Sequence, residues 1–153
     1  RKNFNSREIL DKYSDQKITV AHCHGDFHQG NILSNGKDYW ILDWEYSGQK
    51  QIGYDLFILL LESRIESGLS SRFLKILNNQ LNSYQQQLIK NWPGVEWGDS
   101  TLKERDLILF IFEELAFYIN ENSNILFKKN PRALSARINC FKEIFDSLPF
   151  NIH

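Results

Sequence analysis

The sequence predicts an α+β fold that is mostly α-helical, with one small β-hairpin near its start. Three observations predict it. Asn35-Gly36 stands among polar residues between the apolar pair Ile32-Leu33 and the run Tyr39 to Leu42, a strong hairpin signal. From Asp55 onward, apolar residues recur at intervals of three and four, the period of helices with a buried face. No repeat, low-complexity tract or second-domain boundary interrupts residues 1–153, and that length allows a single domain with one sizeable core.

The elements follow in order. Residues 5–14 read as a helix end, with Asn5 and Glu8 as a capping-box-like start and Ile9, Leu10 and Tyr13 on one face. Lys17 to Ala21 is partly β-branched and reads as a short strand before the hairpin. Gln49 to Ile52 reads as a polar connection. Asp55 opens an apolar helix through Leu56, Phe57, Leu59 and Leu60 that stops near Gly68. Phe73, Leu77, Leu81, Tyr84 and Leu88 then line one long helix, ended by Trp92-Pro93-Gly94. Thr101 with Glu104 is expected to cap the next helix, which is apolar almost all round and so central. Asn130-Pro131 starts the last helix, since proline is tolerated at the first helical position. Its buried stripe is expected at Leu134, Ile138, Phe141, Phe145 and Leu148, and Pro149 stops it.

Composition excludes several classes. Hydrophobic residues make up 42% and charged residues 24%, the balance of a globular domain. The net charge of −1 gives no electrostatic case for nucleic acid or an anionic membrane. Cys23 and Cys140 form no Cys-x-x-Cys, so a disulfide scaffold is not implied and a cytoplasmic location fits. No signal peptide is visible. The longest apolar stretch, Leu107 to Ile119, is broken by Glu113-Glu114 and is too short to span a bilayer. The chain begins at Arg1 and contains no methionine, so it is expected to be a piece of a longer protein.

The chemistry concentrates between His24 and Glu45. Asp26 and Asn31 are five apart, so one loop can present both. The hairpin folds its second strand back, placing Asp43 near that loop. Oxygens from Asn31 and Asp43 suit Mg2+, a hard cation that takes one or two protein oxygens plus phosphate oxygens. Asp26 is then free to accept a proton from a hydroxyl nucleophile. Phosphoryl transfer needs these parts, and kinases use an Asp, four intervening residues and an Asn, then a metal-binding Asp after a strand.

His24-Gly25-Asp26, then Asn31, then Leu42-Asp43-Trp44 resembles the signature of the aminoglycoside phosphotransferase and choline kinase family. Trp44-Glu45-Tyr46-Ser47-Gly48 and Gly53-Tyr54-Asp55-Leu56 look closest to its choline-kinase-like branch. The resemblance covers residues 17 to 62. It implies the C-terminal lobe of a protein-kinase-like fold, in which the hairpin carries the active-site loop. It further implies a small-molecule kinase that moves the γ-phosphate of ATP or GTP to a hydroxyl of choline, an aminoglycoside or a sugar. Leu33 and Leu42 would then form the floor of the nucleotide pocket. Family members place an N-terminal lobe before these motifs, with a phosphate-covering loop and a lysine. Neither is recognisable here, so that lobe is expected to be absent from this chain and to be its partner.

Other residues have weaker claims. His24 reads as a loop-bracing residue. His28 is either a phosphate contact or a second brace. Asp55 either anchors the loop through backbone N–H groups, as the resemblance implies, or complements a helix dipole. If the chain stays extended, Glu45 faces the same side as Asp43 and would touch metal or acceptor. Glu113 and Glu114 mark either a solvated helix edge or an acidic wall for a cationic acceptor. Trp92, Trp97 and Tyr46 are candidates for an aromatic cage, although aromatics are more often core. His22-Cys23-His24-Gly25-Asp26-Phe27-His28 superficially resembles a zinc-hydrolase motif. Phe27 stands where that motif needs histidine, and the further histidines are lacking. A catalytically inactive binding module or pseudoenzyme is the remaining alternative.

Overall fold

The computed structural model describes residues 6–65, 67–98, 100–123 and 131–147. The first helix, α1 (Ser6–Tyr13), precedes β1 (Val20–Cys23). The hairpin is β2 (Ile32–Ser34) and β3 (Tyr39–Ile41), and β4 (Gly48–Gln51) follows it. The rest is helical: α2 (Tyr54–Leu61), α3 (Leu69–Leu77), α4 (Ser83–Asn91), α5 (Ser100–Ser123) and α6 (Pro131–Ser147). The fold is therefore α+β and mostly helical.

The hairpin forms as the sequence predicts, with Ile32 opposite Ile41 and Leu33 opposite Trp40. Its turn is an Asn-centred loop. The Asn35 side-chain oxygen accepts the N–H groups of Lys37 and Asp38 at 2.9 and 2.8 Å, and Gly36 takes a φ of +88°. The first strand lies later than expected, at Val20–Cys23, where it pairs antiparallel with β4. Residues 49–51 are thus not a polar connection but a strand. Gln51 is buried, and the helix behind it takes its two donors, while its side-chain oxygen has no hydrogen-bond partner among the described residues. Its side chain donates to the Asp106 carbonyl at 2.7 Å, and its N–H donates to Glu113 at 3.3 Å.

The core forms around α2, whose residues are buried except Leu59. Burying each such Leu or Phe contributes about 1.5–3 kcal/mol. The helix ends at Leu61, earlier than expected, because Glu62 turns left-handed and donates its N–H back to Ile58 and Leu59. The central role expected of α5 holds: it packs against α2, α3, α6 and β4. Thr101 lies inside α5, which begins at Ser100, rather than at its cap. Glu104 instead accepts from Lys12 and Tyr13 at 3.0 Å each, fastening α1 to α5. In α6, Phe141 and Phe145 are buried but Ile138 is exposed, so the predicted stripe is narrower. Asn130, Leu148 and Pro149 lie outside the described residues, as does the side chain of Leu134.

The long helix expected through Leu88 is two helices. Residues 78–82 separate them: Asn79 is left-handed, and Asn82 opens α4 with a capping box shared with Gln85. Tyr84 is exposed, so the apolar stripe breaks there too. The Asn82 cap predicts a specific loss. Asn82→Ala is expected to cost about 1 kcal/mol and to lower the thermal midpoint by roughly 2–4 °C. A midpoint equal to wild type in a denaturation scan would contradict the cap's role.

Candidate functional site

Asp26 and Asn31 share the loop between β1 and β2. Residues 29–31 form a 3-10 turn capped by His28, whose Nδ1 accepts the Gly30 N–H at 3.1 Å. The Asn31 amide donates to the Asp26 carbonyl at 3.0 Å and to its carboxylate at 3.2 Å. His28 Nε2 lies 3.4 Å from the same carboxylate oxygen.

Asp55, in the first turn of α2, holds the start of this loop. Its carboxylate accepts the His24 N–H at 2.7 Å and the Gly25 N–H at 2.9 Å. Gly25 is left-handed, at a φ of +85°, and a Cβ there would collide with the Tyr46 carbonyl. Only glycine permits both.

His24 is buried, and both ring nitrogens have partners. Nε2 lies 2.7 Å from the Leu42 carbonyl, and Nδ1 lies 3.2 Å from the Asp26 N–H. A carbonyl only accepts, so Nε2 carries the proton and Nδ1 accepts. The ring also packs on Trp44, with centroids 4.7 Å apart. Leu42 returns a second tie, its N–H donating to the Asn31 carbonyl at 2.9 Å. The backbone entering Asp43 is thereby fastened to both ends of the Asp26 loop.

Asp43 is itself left-handed, at a φ of 62°, and its exposed carboxylate has no hydrogen bond among the described residues. The chain then coils into a 3-10 turn over Trp44–Tyr46. The extended geometry that would have set Glu45 beside Asp43 is therefore absent, and Glu45 sits exposed on the turn. Leu33 and Leu42 are 52% and 42% exposed, and Leu33 shares its face of the hairpin with its cross-strand partner Trp40.

The acidic and aromatic candidates separate. Glu114 is neither a solvated edge nor a free wall. It is fully buried and accepts from Tyr54 OH and, at 2.6 Å, from Arg64. Glu113 accepts from the Gln51 backbone, and burial pushes its pKa up against the opposing effects of that bond and Lys50. Trp97 is a core residue, stacked on Phe57 at 4.9 Å and donating to Asp106 at 3.2 Å. Trp92 meets Phe27, and Tyr46 meets Phe117. Each of the three candidate rings thus packs on a different aromatic neighbour.

Sequence reasoning missed Arg64. Its Nε donates to Asp26 Oδ1 at 2.5 Å, its Nη1 to Glu114 at 2.6 Å, and its Nη2 to the Gly25 carbonyl at 3.1 Å. Burial works against its charge, but Glu114, Tyr118 and Asp26 outweigh it and raise its pKa above the ordinary arginine value. No spacing rule points to it. It lies in the turn after an apolar helix, within what reads as that helix's polar tail.

The phosphotransferase enzyme family model matches residues 7–97, from α1 through the segment after α4. The chain belongs to this family, the aminoglycoside phosphotransferase and choline kinase family. Among curated proteins it is similar to two proteins named Protein LicA from Haemophilus influenzae. One is 22% identical, with 66% of this chain and 47% of that protein covered. The other is 23% identical, with 66% and 37% covered. The chain thus spans less than half the length of the curated relatives it matches. No solved structure matches it. No helix among the described residues is long and apolar enough to cross a membrane.

Two outcomes follow from the site. Gly25→Ala is expected to cost about 1–3 kcal/mol through backbone strain alone, and the clash with Tyr46 adds to it. Chemical denaturation measures the loss, and wild-type stability would refute the packing described. Glu113 carries a pH dependence. A carboxyl whose folded pKa is raised binds its proton more tightly folded than unfolded. Its contribution is fully present at low pH and is lost as pH rises from the ordinary carboxylate range through the raised pKa. Glu113→Gln cannot ionise, so its midpoint relative to wild type is expected to be higher at pH 7 than at pH 4. A difference that is constant or reversed between those pH values would contradict the burial effect.

Proposed function

We propose that this chain is the C-terminal lobe of a small-molecule kinase with a protein-kinase-like fold. The parent protein transfers the γ-phosphate of ATP or GTP to a hydroxyl of a small acceptor such as choline, an aminoglycoside or a sugar. The observation that carries this reading is the joining of Asp26, Asn31 and the Leu42-Asp43 backbone into one hydrogen-bonded unit. Family membership supports phosphotransfer in general.

In this reading Asp26 orients the acceptor hydroxyl and takes its proton. Its carboxylate is held on both oxygens, by Arg64 on one and Asn31 on the other, so it approaches a nucleophile in a fixed orientation. The donor set fits Mg2+. The Asn31 amide oxygen and the Asp43 carboxylate have no hydrogen bond among the described residues, and both are hard oxygen donors. Asn31 and Asp43 would hold the ion, which neutralises phosphate charge when bound. Leu33 and Leu42 offer an apolar floor for the base of the nucleotide. An N-terminal lobe would supply the roof and the phosphate-clamping lysine. The chain alone is then expected to bind Mg2+-nucleotide weakly and to turn over negligibly, since positioning and electrostatic clamping are most of the catalysis.

The test uses the full-length protein with Mg2+, ATP or GTP, and a panel of alcohol acceptors. Phosphotransfer to one of them is expected, and Asp26→Asn is expected to lower kcat about 10²–10⁴-fold. Turnover that survives Asp26→Asn intact would remove Asp26 from the chemistry. No turnover with any acceptor, despite nucleotide binding, would favour the inactive binding module.

A further inference from the structure

We propose that Arg64 is the positioning residue for Asp26, a rigid bracket that fixes the carboxylate against two core helices. The proposal rests on the reading of Asp26 as the base and adds the group that holds it in register. Three of the guanidinium's donors end on three separate acceptors: Asp26 Oδ1, Glu114 Oε2 and the Gly25 carbonyl. The planar fork of arginine meets such a set at once, whereas a lysine offers one rotatable ammonium.

The bracket is mounted on buried parts of the helices. Glu114 lies on α5 with no exposed surface, and its other oxygen takes the hydroxyl of Tyr54 on α2. The guanidinium packs over Phe117 at 5.4 Å and Tyr118 at 6.0 Å. Tyr118 OH in turn accepts from Arg137 of α6 at 2.8 Å. Position is thus passed from α2, α5 and α6 through one side chain to one carboxylate oxygen. Asn31 holds the other oxygen from within the loop. With both oxygens fixed from opposite sides, the carboxylate is not free to rotate. A small displacement of a catalytic group costs on the order of 10²-fold in rate.

Arg64→Lys in the full-length protein separates positioning from bulk stability, because it keeps a cation beside buried Glu114. Its kcat per folded molecule is expected to fall about 10²-fold, with the nucleotide KM unchanged and the thermal midpoint lowered, since a lysine leaves part of this acceptor set unmatched. Amide exchange at residues 25–31 is expected to quicken while α2 and α5 keep their wild-type rates. A merely structural arginine would lower the midpoint as well but leave kcat per folded molecule intact. If Arg64→Lys does not fold, the double variant Arg64→Gln with Glu114→Gln removes both charges of the pair and is read the same way. Wild-type exchange at residues 25–31 overturns the proposal whatever the kinetics, and so does a wild-type kcat. A full-length protein that transfers no phosphate sinks the functional reading alone. The exchange rates at residues 25–31 then decide on Arg64 by themselves, faster for the bracket and unchanged against it.

Discussion

Two consecutive backbone N–H groups, from His24 and Gly25, end on the carboxylate of Asp55. Both donors are out of contact with water, and a buried donor left without a partner costs about 1–3 kcal/mol. The carboxylate has a good reason to sit there, because it lies in the first turn of α2, where the helix dipole favours negative charge. Since α2 is the most buried element, this one contact mounts the Asp26 loop on the core. It also dictates the left-handed turn at Gly25, and so the close passage of Tyr46 over a residue with no side chain.

A second constraint joins the loop to the hairpin. His24 spans from the Asp26 N–H to the Leu42 carbonyl, and that pairing fixes its tautomer. Asn31 supplies the matching tie from the loop's other end through its own carbonyl. Loop and hairpin are therefore fastened to each other at both ends. Carbonyl-bound histidine suits this role better than a charged residue would, because it bridges two backbones in a buried place without carrying charge.

The sequence was legible where local rules govern. Asn35-Gly36 announced the hairpin, and the spacing from Asp26 to Asn31 announced one loop. It was misleading where a tertiary contact overrides a local pattern. Gln49-Lys50-Gln51 has no strand propensity. It is a strand because β1 lies beside it and because Asp106 and Glu113 accept the side-chain and backbone N–H groups of Gln51. Residues 73–88 kept a helical period by accident, since Leu81 lies in step although it belongs to a linker. The warning lay in Asn78-Asn79 and Asn82, residues that favour left-handed turns and caps. Arg64 was invisible for another reason: its acceptors lie 38 to 54 residues away in the chain, and no periodicity links them.

Polarity is inverted between the two faces of this region. Behind the loop, where a core would ordinarily be apolar, lie Gln51, Asp106, Glu113, Glu114 and Arg64. The hairpin, by contrast, exposes Leu33, Trp40, Ile41 and Leu42, with the pair Leu33 and Trp40 on one face. A two-stranded hairpin is marginal by itself, and this one has little burial to support it. Its stability comes from the ties at Leu42 and from the packing of Trp44 on His24. A buried polar cluster is costly wherever an atom goes unmatched, as Gln51 Oε1 and Glu113 Oε2 do among the described residues, and this makes its geometry exacting. The apolar face has no such demand and accepts any surface of the right shape. Precision and adaptability are thus assigned to opposite sides of the same loop. The side that must hold a carboxylate to within a fraction of an ångström is built from charge-assisted hydrogen bonds. The side left open is built from contacts without direction.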